Sequence, residues 1–138
     1  MYKIIDHTAD IGIEVESSSI EELFIRAAEA FFDLMFRVKR PSLPSIEVPI
    51  AIEAGSRDEL MAKWLAELLY IHETRRLVLT KFWIDAMSET RMEGVAWGLK
   101  FDETRHEQKL AVKAVTYHQL SVGQDGQGRW KARVIFDI

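Results

Sequence analysis

Cysteine is absent from the 138 residues, so disulfide scaffolds, thiolate metal sites and cysteine nucleophiles are excluded. Any metal has to be held by oxygen or imidazole. Positive charge is also short, with 18 Lys and Arg against 22 Asp and Glu and a formal net charge of −4, which argues against a general phosphate-backbone binder. Stable direct binding of nucleic acid is therefore not expected. No apolar run approaches the length of a membrane span, and Met1 to Asp6 lacks the apolar core and small-residue cleavage site of a signal peptide. The expectation is a soluble, cytoplasmic protein with no membrane partner. Missing too are a phosphate-cradling glycine loop, a Gly-x-Ser-x-Gly elbow and a His-Glu-x-x-His helix, which removes the usual nucleotide-binding and protease readings. Nothing repeats, and no low-complexity tract or linker divides the chain.

What is present is enough for one core: 48% of residues are apolar, and the length fits a single domain, residues 1–138. Residues 2–6 and 11–16 read as strands. Ser19-Ile20-Glu21-Glu22 is a capping box, with Ser19 accepting from first-turn amides and Glu22 reaching back. The helix it opens carries an apolar stripe from Ile20 through Leu23, Phe24, Ala27 and Phe31 to Met35, and Pro41 and Pro44 end any continuation. Ile46 to Glu53 alternates as a strand, but Pro49 cannot donate to a ladder, so the strand lies at a sheet edge or Pro49 faces solvent. A second capping box, Ser56-Arg57-Asp58-Glu59, opens a helix to about Glu73 or Thr74, with Lys63 and Glu67 paired on its outer face. From Leu77 onward the pattern predicts strands over 77–85, 91–101, 110–122 and 130–138, the last two joined through the glycine-rich turn Gly123 to Gly128. The order β-β-α-β-α-β-β-β-β fits an α+β two-layer sandwich, two helices packed on a mostly antiparallel sheet.

The last strand has an unusual ending. Trp130, Ala132, Val134, Phe136 and Ile138 fall on one face and Lys131, Arg133, Ile135 and Asp137 on the other. No polar tail follows, so the Asp137 side chain and the Ile138 carboxylate come to one spot, where a cation would relieve their repulsion. A hard divalent ion wants several oxygens. Asp10 would join this pair if the first hairpin and the last strand were neighbours, although an ordinary turn role for Asp10 is equally open from spacing alone. Polar groups also gather at Asp6 to Asp10 and at Gly98 to His106.

The stretches Asp6-His7-Thr8-Ala9-Asp10-Ile11-Gly12, Val112-Lys113-Ala114-Val115-Thr116-Tyr117-His118 and Ala132 to Ile138 together resemble the archease family, small proteins that activate the tRNA-splicing RNA ligase joining 3′-phosphate and 5′-hydroxyl ends. The resemblance runs from residue 2 to residue 138. It implies a divalent metal, calcium, with magnesium or manganese as alternatives, held by Asp10, Asp137 and Ile138. It implies an RNA ligase as protein partner, whose guanylylation and repeated turnover the chain promotes and whose nucleotide range it widens, and it implies that the chain does not itself catalyse ligation. Lys113, His106, His7 and Asp6 fall in family-like positions and are candidate partner contacts. The chain departs from the family at Leu99-Lys100, where relatives usually carry glutamate directly after the glycine. Two other readings compete: a stand-alone metal-dependent hydrolase using Asp6, His7, Asp10 and Asp137, and a chaperone-like scaffolding module whose carboxylates are only structural.

Overall fold

The computed structural model describes residues 2–6 and 10–138. Two helices and ten strands form an α+β fold in which every strand pairing is antiparallel. Strand β1 (Tyr2–Asp6) pairs with β2 (Asp10–Ser17), and β2 pairs in turn with β10 (Trp130–Asp137). Two short strands, β8 (Ala114–Val115) and β9 (Ser121–Gln124), line the other side of β10 to complete a five-stranded sheet. A three-stranded sheet has the order β4-β6-β5, from β4 (Ile46–Glu53), β5 (Leu77–Met87) and β6 (Arg91–Lys100). A two-stranded ribbon joins β3 (Phe36–Val38) to β7 (His106–Gln108).

Helices α1 (Ile20–Met35) and α2 (Arg57–Arg75) bury their apolar stripes against these sheets. Ser19 caps α1 by accepting from the Glu22 amide, and Ser56 caps α2 by accepting from the Glu59 amide, both at 3.2 Å. The Glu22 side chain does not reach back as the box predicts, because Arg26 holds it. Glu59 does reach back, to the Gly55 amide at 3.0 Å, and Lys63 pairs with Glu59 rather than with Glu67. The Trp64 indole, fully buried on α2, donates to the Phe24 carbonyl of α1 at 2.9 Å, so its polar atom is satisfied inside the core. Phe31 stacks on Phe136 with ring centroids 4.6 Å apart, tying α1 to β10.

Pro49 lies on β4, an edge strand, as its missing N–H requires. Two expectations need correction. The segment 110–122 is not one strand. Thr116 turns its amide and hydroxyl onto the Ile135 carbonyl, at 3.0 and 2.9 Å, and Gln119 takes φ 53, so a turn separates β8 from β9. Helix α1 ends at Met35, where its apolar stripe ends and ahead of both prolines; Phe36 is already extended and enters the β3–β7 ribbon, which the sequence pattern does not show. In the glycine-rich hairpin only Gly128, at φ 84, needs a positive dihedral; Asp125 closes the turn by accepting from the amides of Gln127 and Arg129.

Candidate metal centre

Asp10 opens β2 and Asp137 closes β10, and the register sets them directly opposite one another. Directly opposed residues on antiparallel strands share a face, with Cβ atoms about 4.5–5.5 Å apart. Two aspartates 127 positions apart in the chain therefore become neighbours on the sheet face turned away from α1. Among the described residues no ion pair reaches either of them. Oδ1 of Asp10 is shielded from solvent and, among the described residues, has no hydrogen-bond partner. A buried carboxylate oxygen without a donor costs several kcal/mol on the order of a lost charged hydrogen bond, about 1–3 kcal/mol or more, and a cation at that oxygen would remove the cost. The donor set is thus of the kind a hard divalent ion takes: carboxylate oxygens beside strand carbonyls.

Three local features hold the two aspartates in place. Gly12 sits two residues after Asp10, where a Cβ would come 2.6 Å from Ile135 Cδ1 and 2.8 Å from the Val134 carbonyl oxygen. Only glycine lets β2 lie this close to β10 there, over an Ile135 that is 1% exposed on the sheet's outer side. The end of β10 is clamped from its other edge: the Lys113 amide donates to the Asp137 carbonyl at 2.8 Å, and Thr116 makes its two bonds to Ile135. Ile138, half-buried, packs its side chain against the hydrophobic core and so fixes the position of its own carboxylate.

The remaining candidates scatter. Among the described residues no group of three or more His, Asp or Glu side chains is placed to hold a metal. His7 lies outside the described residues, and Asp6 is placed through its main chain alone, opposite Ile11 at the end of β1. The Lys113 side chain is exposed, and its amide is tied to the Asp137 carbonyl, so its main chain adjoins the end of β10. His106 is elsewhere, on β7, 3% exposed, with Nδ1 accepting from the Asp102 amide at 3.2 Å. Burial holds its pKa below the usual histidine value, and neighbouring Arg105 pushes the same way. Lys100, at the departure from the family pattern, donates its ammonium to the Arg75 carbonyl at 2.8 Å and so caps the C-terminus of α2. Thr116 was missed as a site residue by sequence reasoning. Its position within the Val112 to His118 motif was the available signal, but its bonds to Ile135 are a matter of tertiary structure.

The sequence matches the family model described as "Archease protein family (MTH1598/TM1083)" over residues 2–138. Similar curated proteins include the archease of Pyrococcus furiosus, 36% identical over 136 residues that cover 96% of this chain and 95% of that one. Another is the archease of Methanopyrus kandleri, 35% identical over 137 residues, covering 97% and 96%. Among solved structures, protein 1598 of Methanobacterium thermoautotrophicum superposes with a TM-score of 0.83 at 34% identity, covering 99% of this chain and 98% of that one. An archease of Thermotoga maritima, described as a possible chaperone, superposes at 0.62 with 20% identity, covering 100% and 98%, and shares the fold.

Proposed function

Because the chain belongs to the archease family, we propose that it is a metal-binding activator of the RNA ligase that joins 3′-phosphate and 5′-hydroxyl ends, promoting the ligase's guanylylation and repeated turnover. One observation supports the metal part of this reading: Asp10 faces Asp137 across the β2–β10 pairing, with a buried Oδ1 that no group among the described residues satisfies. In this reading Asp10 and Asp137 supply side-chain oxygens and Ile138 its carboxylate, and calcium is the ion, with magnesium or manganese as substitutes. When bound, a divalent cation supplies fixed positive charge and coordination positions open to an oxygen of another molecule.

The chain's own residues do the rest. Gly12 keeps β2 against β10, the Val112 to Thr116 segment holds the end of β10, and the Ile138 side chain anchors in the core. The acidic end is thereby presented as a rigid feature built on strands, the kind of element that holds a site to fractions of an ångström. Lys113 beside it offers a cation to a phosphate or to the partner's surface.

The test is multiple-turnover ligation at limiting ligase, with no addition, with this protein, and with its Asp10→Ala form. Stimulation by the native protein and none by the variant is the expected result. Equal stimulation by both would sink the metal part of the reading and favour a scaffolding role, toward which the possible-chaperone description of the Thermotoga maritima relative points. Stimulation by neither would sink the activator reading altogether.

A further inference from the structure

A second charged region lies away from the aspartates. Residues 36–40, 75–76 and 100–113 hold nine of the chain's 18 Lys and Arg but only three of its 22 Asp and Glu, a local net charge of +6 against −10 for the remainder. The fold gathers these three segments. Strand β3 pairs with β7, the Lys39 amide donates to the Arg105 carbonyl at 2.7 Å, the Lys109 amide donates to the Met35 carbonyl at 2.7 Å, and the Phe101 amide donates to the Arg76 carbonyl at 2.8 Å. Between them runs an open groove of about 550 Å³, with Arg37, Lys39 and Arg76 on its sides, Phe101 and His106 in its lining, and two carboxylates, Glu103 and Glu107, also bordering it.

The cations here are unevenly committed. Arg37 is paired with Glu107, whereas the Lys39 ammonium donates to the Glu103 carbonyl and, among the described residues, forms no ion pair. Arg76 lies over the Phe101 ring, its guanidinium carbon 5.3 Å from the centroid, and among the described residues no carboxylate pairs with it. Stacking orders a guanidinium and leaves its edge donors free, the presentation that suits bidentate capture of phosphate. It also places Arg76, the residue that ends α2 at φ 55, on a fixed turn rather than a loose stem. Arg37 and Lys39 are two residues apart in extended chain, about 7 Å, a spacing of the order of that between successive phosphates of an extended nucleic-acid strand. From this groove the chain continues through Lys109 to Lys113, four residues that can span at most about 14 Å, and so reaches the aspartate pair.

We infer that the β3–β7 groove binds the phosphodiester backbone of single-stranded RNA. The phosphate chemistry is read from the groove; that the strand is RNA rests on the function proposed above. The net charge of −4 hides this region, because the acids that outnumber its cations sit elsewhere on the surface. The strand it holds would run toward the acidic end, so the groove would position RNA relative to whatever the aspartate pair engages.

The experiment is direct binding of a short fluorescein-labelled single-stranded RNA to the purified protein, without ligase, followed by anisotropy at a series of salt concentrations. Engagement of three phosphates makes the affinity fall about 20-fold between 50 and 200 mM salt, from a slope near −0.7 per contact. Arg37→Gln/Lys39→Gln/Arg76→Gln, which replaces the three cations on the groove's sides, is expected to remove most of that salt dependence while keeping a native circular dichroism spectrum. Asp10→Ala is expected to bind RNA as the native protein does, so failure of the metal reading and failure of this one are separable. The inference is overturned if the native protein does not bind at 50 mM salt, if the triple variant keeps the native slope, or if an acidic peptide of equal charge binds more tightly than the RNA.

Discussion

Gly12→Ala tests the geometry that brings the two aspartates together. The added methyl would sit 2.6 Å from Ile135 Cδ1 and 2.8 Å from the Val134 carbonyl oxygen. The isoleucine methyl can rotate away, but the carbonyl belongs to the strand β2 is paired with, so relief requires β2 to move off β10. Overpacking of this kind costs about 1–3 kcal/mol. For a chain of this length each kcal/mol lowers the melting temperature by about 3–4 °C, which predicts a loss of roughly 3–12 °C by calorimetry or circular dichroism. The movement is centred two residues from Asp10, so calcium affinity measured by titration calorimetry is expected to fall along with stability. Ile135→Val in the same background removes the Cδ1 clash and leaves the carbonyl clash, and is expected to restore only part of the loss. A Gly12→Ala protein that melts like the native one and binds calcium equally well would refute the close-approach argument.

Three further outcomes follow from the same structure. If the metal reading holds, calcium at about 100 times its dissociation constant adds about 2.7 kcal/mol to stability, so EDTA should lower the native melting temperature and leave Asp10→Asn unmoved; coincident native scans with and without chelator would count against the site. Appending Gly-Ser after Ile138 displaces the terminal carboxylate without touching either aspartate, and is expected to weaken calcium binding at least tenfold in titration calorimetry, whereas unchanged binding would strike Ile138 from the ligand set. His106 is held neutral by burial, its pKa below the ordinary 6.5, so the unfolded chain protonates first as pH falls. Its contribution to stability is therefore complete above about pH 6.5 and is lost as pH drops through the lower folded pKa. Melting temperatures between pH 7.5 and 5 should fall less steeply in His106→Gln, and parallel profiles would exclude the histidine as the source.

The parts of the fold that show in the sequence are those set by local periodicity and capping. The alternation of Trp130 to Asp137, the Ser19 and Ser56 caps and the edge position of Pro49 all appear where one-dimensional pattern places them. The β3–β7 ribbon was not legible, because three residues on each side carry no period and the pairing joins segments 70 positions apart. The break between β8 and β9 was equally hidden: Thr116 and Gln119 look strand-compatible until Ile135 supplies the acceptor that bends the chain. For the candidate site, residue type suggested Asp137 and Ile138, but only family resemblance singled out Asp10, and only the β2–β10 register sets it opposite Asp137. Whole-chain charge misled about the groove for a simple reason. A sum carries no positions.

The β2–β10 pairing also governs when the protein can become competent. Its partners come from opposite ends of the numbering, with Asp10 matched to Asp137 and Ser17 to Trp130. A ribosome delivers β1 and β2 long before β10, and until then the edge of β2 that β10 will cover is open to pairing with another chain. Helices α1 and α2 can form early from local contacts, but the sheet that carries the aspartates closes only after a very long loop has been drawn together, a slow step. A nascent or truncated chain would thus have its helices and three-stranded sheet without its acidic end. The feature on which the proposed activity depends is assembled only when both β2 and β10 are present, from residues that local structure alone never brings together.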